Sequence, residues 1–149
     1  MLKQILKDQF LRDLEKLKEE IGLYRNEPMI WVTAEGINNS GGNLCLHLVG
    51  NLNNYIGKEL GKTGYVRHRE LEFTLKNVPR TELLMMIDQT IKVVGTTLDG
   101  LTDEQLKDEY PILVFTVKKS TEFFLVHLLS HLSYHLGQVN YHRRLLDKG

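Results

Sequence analysis

The residues best placed to do chemistry in this chain are histidines. One run reads His127-Leu-Leu-Ser-His131-Leu-Ser-Tyr-His135-Leu-Gly-Gln138. A spacing of four puts two side chains on one helix face, one turn apart, so two imidazoles can converge on one ion. At about 100° per residue, with His127 at zero, Leu125, Leu128, Leu132, Leu136 and Val139 cluster near roughly 130°. On the same wheel His135 falls at about 80° and His131 at about 40°. His131 and His135 therefore point at the shoulder of the buried face, where a pocket can form. His127 lies furthest from the core stripe and reads as a rim residue.

A third ligand has to come from another segment. His47 is the best candidate, because it stands inside the apolar run Leu44-Cys-Leu-His47-Leu-Val. A histidine among such neighbours costs free energy unless its ring nitrogens find partners. A metal would satisfy it; so would a hydrogen bond from a core neighbour. Asn51, one turn after His47, and Gln138, three residues after His135, are placed to orient the imidazoles. Tyr134 and Gln138 are also candidates to line the pocket. Arg67 and Arg69 are candidates to bind an anionic substrate group, the alternative being a solvated loop in which they pair with Glu70 and Glu72. Cys45 points about 200° from His47 on a helix and reads as a small buried apolar residue. His68 falls in the charged loop. His142 precedes Arg143 and Arg144 and is placed to interact with a helix C-terminal dipole.

Three neutral imidazoles leave a dication its charge and its open coordination positions, which is the pattern of a catalytic rather than a structural site. Imidazole suits Zn, Ni, Cu or Fe. Such an ion lowers the pKa of a bound water and deprotonates a bound thiol. Two reaction classes follow, hydrolysis and thiol transfer. A non-catalytic metal-binding or dimerising module with an idle site is the alternative.

Helices must position these groups. Leu2, Ile5, Leu6, Phe10, Leu14, Leu17 and Ile21 recur at helical spacing and predict a first helix ending near Gly22. Pro28 and the cluster Asn38-Asn-Ser-Gly-Gly interrupt the chain. Ser40 then N-caps a second helix over about Gly42–Leu60, with Gly61 as its C-cap. Residues 62–79 read as polar and irregular. Pro79 and Thr81 open a third helix with Leu83, Leu84, Ile87, Ile91, Val94 and Leu98 buried; Gly95 interrupts it late and Gly100 closes it. Residues 101–119 form a long connection, in which Ile112–Val117 is either a short strand or, as we favour, an apolar lid. Ser120 starts the fourth helix, which runs to about Leu146. The fold class expected is all-α, a four-helix bundle with long first and third connections. Such connections permit parallel neighbours.

The 149 residues fit a single domain, 1–149. Nineteen basic residues balance nineteen acidic ones, so no nucleic-acid partner is expected. There is no apolar stretch of spanning length and no signal-peptide pattern. With a single cysteine no internal disulfide can form, and the expected location is the cytoplasm.

At these same residues the chain resembles the DinB/YfiT-like superfamily of metal-dependent enzymes. One anchor is Asn39-Ser-Gly-Gly-Asn-Leu-Cys-Leu-His47-Leu-Val-Gly-Asn51-Leu, similar to that family's second-helix motif. The other is His127 to Gln138, similar to its last-helix motif. Arg67, Arg69, Glu72 and Phe73 also resemble a loop signature of one branch whose function is not established. The resemblance spans essentially the whole chain. It implies a bundle of up-down-down-up order, a metal held by His47, His131 and His135, nickel or zinc as that metal, and a homodimer. It further implies a small-molecule substrate, with low-molecular-weight thiols such as bacillithiol or mycothiol used by relatives.

Overall fold

A computed structural model describes all residues, 1–149. The architecture is all-α: six α-helices and no strand. The four long helices are α1 (Leu2–Leu23), α2 (Gly41–Leu52), α4 (Arg80–Gly100) and α6 (Thr121–Leu146). Two short ones, α3 (Arg69–Thr74) and α5 (Asp103–Lys107), lie in the connections. Helix α1 packs on α4 and α6, and α2 packs on the same two and on α3. No helix is long and apolar enough to cross a membrane.

Most predicted boundaries and stripes stand. Leu6, Phe10, Leu14, Leu17 and Ile21 of α1 are buried together with Leu83, Ile87, Val94 and Leu98 of α4 and Leu125, Leu128, Leu132 and Val139 of α6. Leu84, Ile91 and Leu136, on the edges of those stripes, are only partly buried. Ser40 caps α2 through the Asn43 backbone N–H, and Ser120 caps α6 through that of Phe123. Helix α4 continues through Gly95 without a break.

The connections hold more order than their composition suggests. Residues 24–40 contain a 3₁₀ turn, Glu27–Trp31, whose Ile30 and Trp31 are buried. After Leu52 the second helix widens into a π-helical stretch, Asn53–Lys58. Its tail bonds Glu59 N–H to the Asn54 carbonyl and Gly61 N–H to that of Ile56, five residues back. Gly61 is thus not a left-handed cap. That conformation falls to Lys62 (φ 53°) and Gly64 (φ 77°). Residues 62–79 are not wholly irregular, because α3 lies among them. Helix α5 starts from a Thr102/Gln105 capping box, legible in Thr102-Asp-Glu-Gln105.

Residues 112–117 form no strand. Phe115 anchors them against Phe123 and Phe124, with ring centroids 6.0 and 5.7 Å apart. Leu113 and Val117 stay exposed. His142 corrects a sequence expectation. It is buried rather than set against a helix terminus, pairing Nδ1 with the Tyr24 hydroxyl at 2.6 Å and Nε2 with the Val32 carbonyl at 2.7 Å. Burial lowers its pKa, so it is a neutral strap between the first connection and α6.

Candidate metal centre

Helices α2 and α6 bring His47, His131 and His135 together. One ligand atom from each lies within 4.8 Å of the others, a grouping able to hold a metal ion. The His47 and His131 Nε2 atoms approach to 3.2 Å. The ring centroids of His47 lie 5.0 Å from those of His131 and 5.3 Å from those of His135.

What aims His47 is Glu72. The imidazole donates Nδ1–H to Glu72 Oε1 at 3.0 Å, which leaves the Nε2 lone pair facing the other histidines. Arg67 clamps the same carboxylate, with Nε 2.8 Å from Oε2 and Nη2 2.9 Å from Oε1. Burial pushes the Glu72 pKa up; the hydrogen bonds from His47 and Arg67 outweigh it and hold the carboxyl below its ordinary range. Glu72 is 6% exposed. It reaches this depth because α3 carries it in and α2 makes room. Asn43 of α2 donates through Nδ2 to the Glu72 and Leu75 carbonyls, each at 2.9 Å, tying down the end of α3. Gly50 supplies the space: a Cβ there would lie 1.8 Å from Glu72 Oε2.

His135 is aimed in the same way from the other helix. Its Nδ1–H donates to Gln138 Oε1 at 2.7 Å. His131 has no such partner, and its Nδ1 is buried and unpaired. Burial first, then the neighbouring His135, His47, His127 and Arg67, lowers its pKa to about 4. Burial and His47 lower that of His135 as well, against the Gln138 hydrogen bond. These imidazoles are neutral at pH 7 and offer lone pairs rather than charge. Two oriented Nε2 atoms and a third, uncharged imidazole make a donor set that fits a divalent ion.

The remaining sequence candidates divide. His127 is exposed and packs on Phe115 and Phe124, at the rim. Cys45 is fully buried, with its thiol pushed up to about 12, and is outside the cluster. Tyr134 is 65% exposed and touches the edge of His135 rather than lining a pocket. Asn51 makes no hydrogen bond to His47; Glu72 does that work. Arg67 pairs with Glu72, but in a buried contact rather than a solvated one. Arg69 pairs with no carboxylate and lies 5.3 Å over the Phe73 ring, which itself packs 5.0 Å from His47. His68 is exposed at the start of α3.

A cleft of about 190 Å³ reaches His47 and His131, with Asn51, Tyr55, Arg67, Arg69, Val114 and Phe124 among its walls. Val114 shows that the 112–117 segment does border the site. Larger hollows, up to about 600 Å³, lie elsewhere on the surface.

Two outcomes follow. Gly50→Ala improves local helix propensity, yet it must displace the Glu72 carboxylate from His47 and Arg67. Zinc affinity by chelator competition should fall about 10–100-fold, as it should in Glu72→Gln; unchanged affinity in both would remove Glu72 from the site. The second outcome concerns pH. Unfolded histidine titrates near 6.5, whereas folded His131 stays neutral to about 4. Between those values the unfolded chain binds protons that the native one refuses, so stability is full above 6.5 and lost as pH falls toward 4. Urea midpoints of metal-free protein should drop across that window, and less steeply in His131→Ala; equal slopes would contradict the assignment.

No curated protein matches the chain. A family model described as a protein of unknown function, DUF1572, matches residues 3–149. The chain belongs to the DUF1572 family.

Proposed function

We propose that this protein is a divalent-metal-dependent enzyme acting on a small molecule, a hydrolase or a thiol S-transferase. The observation that supports the reading is the convergence of three imidazole nitrogens beside a cleft, one of them backed by a buried carboxylate. The metal we favour is nickel or zinc, held by His47, His131 and His135. With it go the other features that the DinB-like resemblance implies, a four-helix bundle in up-down-down-up order and a homodimer, and the cytoplasmic location expected from the single cysteine.

A bound ion of this kind supplies a Lewis acid with open positions, able to acidify a water or a thiol. The chain's own groups prepare the rest. Glu72 holds the proton on His47 Nδ1 and raises the basicity of Nε2. Arg67 keeps Glu72 ionised, so the carboxylate does not compete for that proton. Gln138 fixes the ring of His135. Neutral His131 presents a nitrogen for which protons do not compete at pH 7. Val114, Phe124 and Leu128 form the apolar part of the cleft wall.

Metal analysis of purified protein tests the reading. One divalent ion per chain is expected, with affinity falling more than about 100-fold in each of His47→Ala, His131→Ala and His135→Ala. Loaded protein is then screened against esters and amides, and against bacillithiol with a chloro-aromatic electrophile. Turnover that disappears with the metal supports the enzyme reading and identifies its class. Metal-free protein that cannot be loaded contradicts it, and loaded protein inert in both screens favours the idle module.

A further inference from the structure

The cleft beside the histidines is cationic before any metal enters it. Arg67 and Arg69 stand in its wall, and no carboxylate does; Glu72, the partner of Arg67, is not part of that wall. Arg69 is exposed and needs nothing more. Arg67 is different, with its side chain only 10% exposed. A guanidinium carries five N–H donors. Nε and one N–H of Nη2 go to Glu72. Nη2 also comes within 3.5 Å of His47 Nδ1, but that nitrogen carries the proton given to Glu72 and accepts nothing. The other edge of the fork, Nη1 and the second N–H of Nη2, therefore meets no acceptor in the protein. That edge is not sealed off. The buried polar atoms without partners belong to Asp13, Asn51, Arg80 and His131, so Nη1 keeps accessible surface, and Arg67 meets open space at the cleft.

The guanidinium is also held still. Its Cζ stands 5.8 Å over the ring of Tyr55, which packs edge-on to Phe124 at 5.2 Å. Tyr55 belongs to the π-helical stretch. A π turn advances less per residue than an α turn, which keeps Tyr55 nearer the face of His47 and Asn51, its fellow walls of the cleft. Two parallel N–H groups on one guanidinium edge match two oxygens of a carboxylate or phosphate. The 3.5 Å approach of Nη2 to His47 Nδ1 puts the fork one imidazole ring away from the nitrogen offered to an ion. The volume, about 190 Å³, is below the range of roughly 300–1,000 Å³ usual for drug-sized ligands, so few heavy atoms fit. We propose that the cleft binds a small oxyanion, a carboxylate or phosphate, on the free edge of Arg67, and that the substrate is an anion of this kind. This names a substrate class for the metal-dependent reading and rests on that reading for the reacting end of the ligand.

Titration of metal-free protein followed by nitrogen NMR tests it, since no ion is then present to hold the anion. The probes are acetate, inorganic phosphate and uncharged acetamide, at fixed ionic strength. Acetate or phosphate should shift the Arg67 Nε–H resonance saturably, and acetamide should leave it in place. Saturation by acetate puts the substrate among carboxylates and saturation by phosphate among phosphoryl compounds; either supports the proposal. Arg67→Lys keeps a charge for Glu72 but loses the fork, so anion affinity read from backbone amides of the cleft should fall about tenfold or more. Arg69→Gln should change it less than about threefold, because an exposed charge is largely screened. Zinc affinity of each variant reports that the site is still assembled; if Arg67→Lys weakens that as well, the Nε–H response of the unmodified protein decides. No saturable response to either anion, an equal response to acetamide, or an affinity that follows Arg69 rather than Arg67 would overturn the proposal. If the chain takes no zinc, the enzyme reading falls by itself, and the metal-free titration still decides whether the anion site exists.

Discussion

A buried carboxylate is expensive to keep ionised, and Glu72 is kept so by two neighbours at once. His47 and Arg67 together offset the desolvation that would otherwise protonate it. In return the carboxylate fixes the tautomer of His47 and aims its free nitrogen at His131 and His135. Each partner depends on the others. Without Arg67, Glu72 would face burial with one hydrogen bond. Without Glu72, His47 would be a polar ring in an apolar helix with no reason to point where it does.

Several elements exist in their present form to allow this contact. Gly50 leaves the gap on α2 into which the carboxylate fits. Asn43, two turns earlier on the same helix, clamps the carbonyls at the end of α3. The two N-capping serines fix where α2 and α6 begin, and so which faces the histidines occupy. Helix α1 takes no part in the chemistry. It supplies the apolar stripe on which α4 and α6 are seated, and thereby the frame that holds α6 in register with α2.

The histidine pair was legible in the sequence because four-residue spacing and a neighbouring leucine stripe are local properties. The same wheel moved His127 to the rim, where it lies. His47 was legible only as a histidine in need of a partner, since its partner arrives from residues 25 positions later. Glu72 itself looked like one charge in a charged loop. The loop resemblance included Glu72, but no local periodicity separates it from Glu70, which stays exposed; the short helix and the gap at Gly50 decide which carboxylate is buried. Asn51 looked like an orienting group and is instead unpaired, because Glu72 already occupies His47 Nδ1. The π-helical stretch after Leu52 left no mark in the hydrophobic pattern, and the role of His142 depends on Tyr24 and Val32, both more than 100 positions away.

The coordination of an added ion tests the centre most directly. X-ray absorption on zinc-loaded protein should show three imidazole nitrogens at about 2.0–2.1 Å, with light-atom ligands completing the shell. The imidazole signal should drop by one in His47→Ala. A sulfur scatterer near 2.3 Å, or an imidazole count that ignores the loss of His47, would contradict a centre built on His47, His131 and His135.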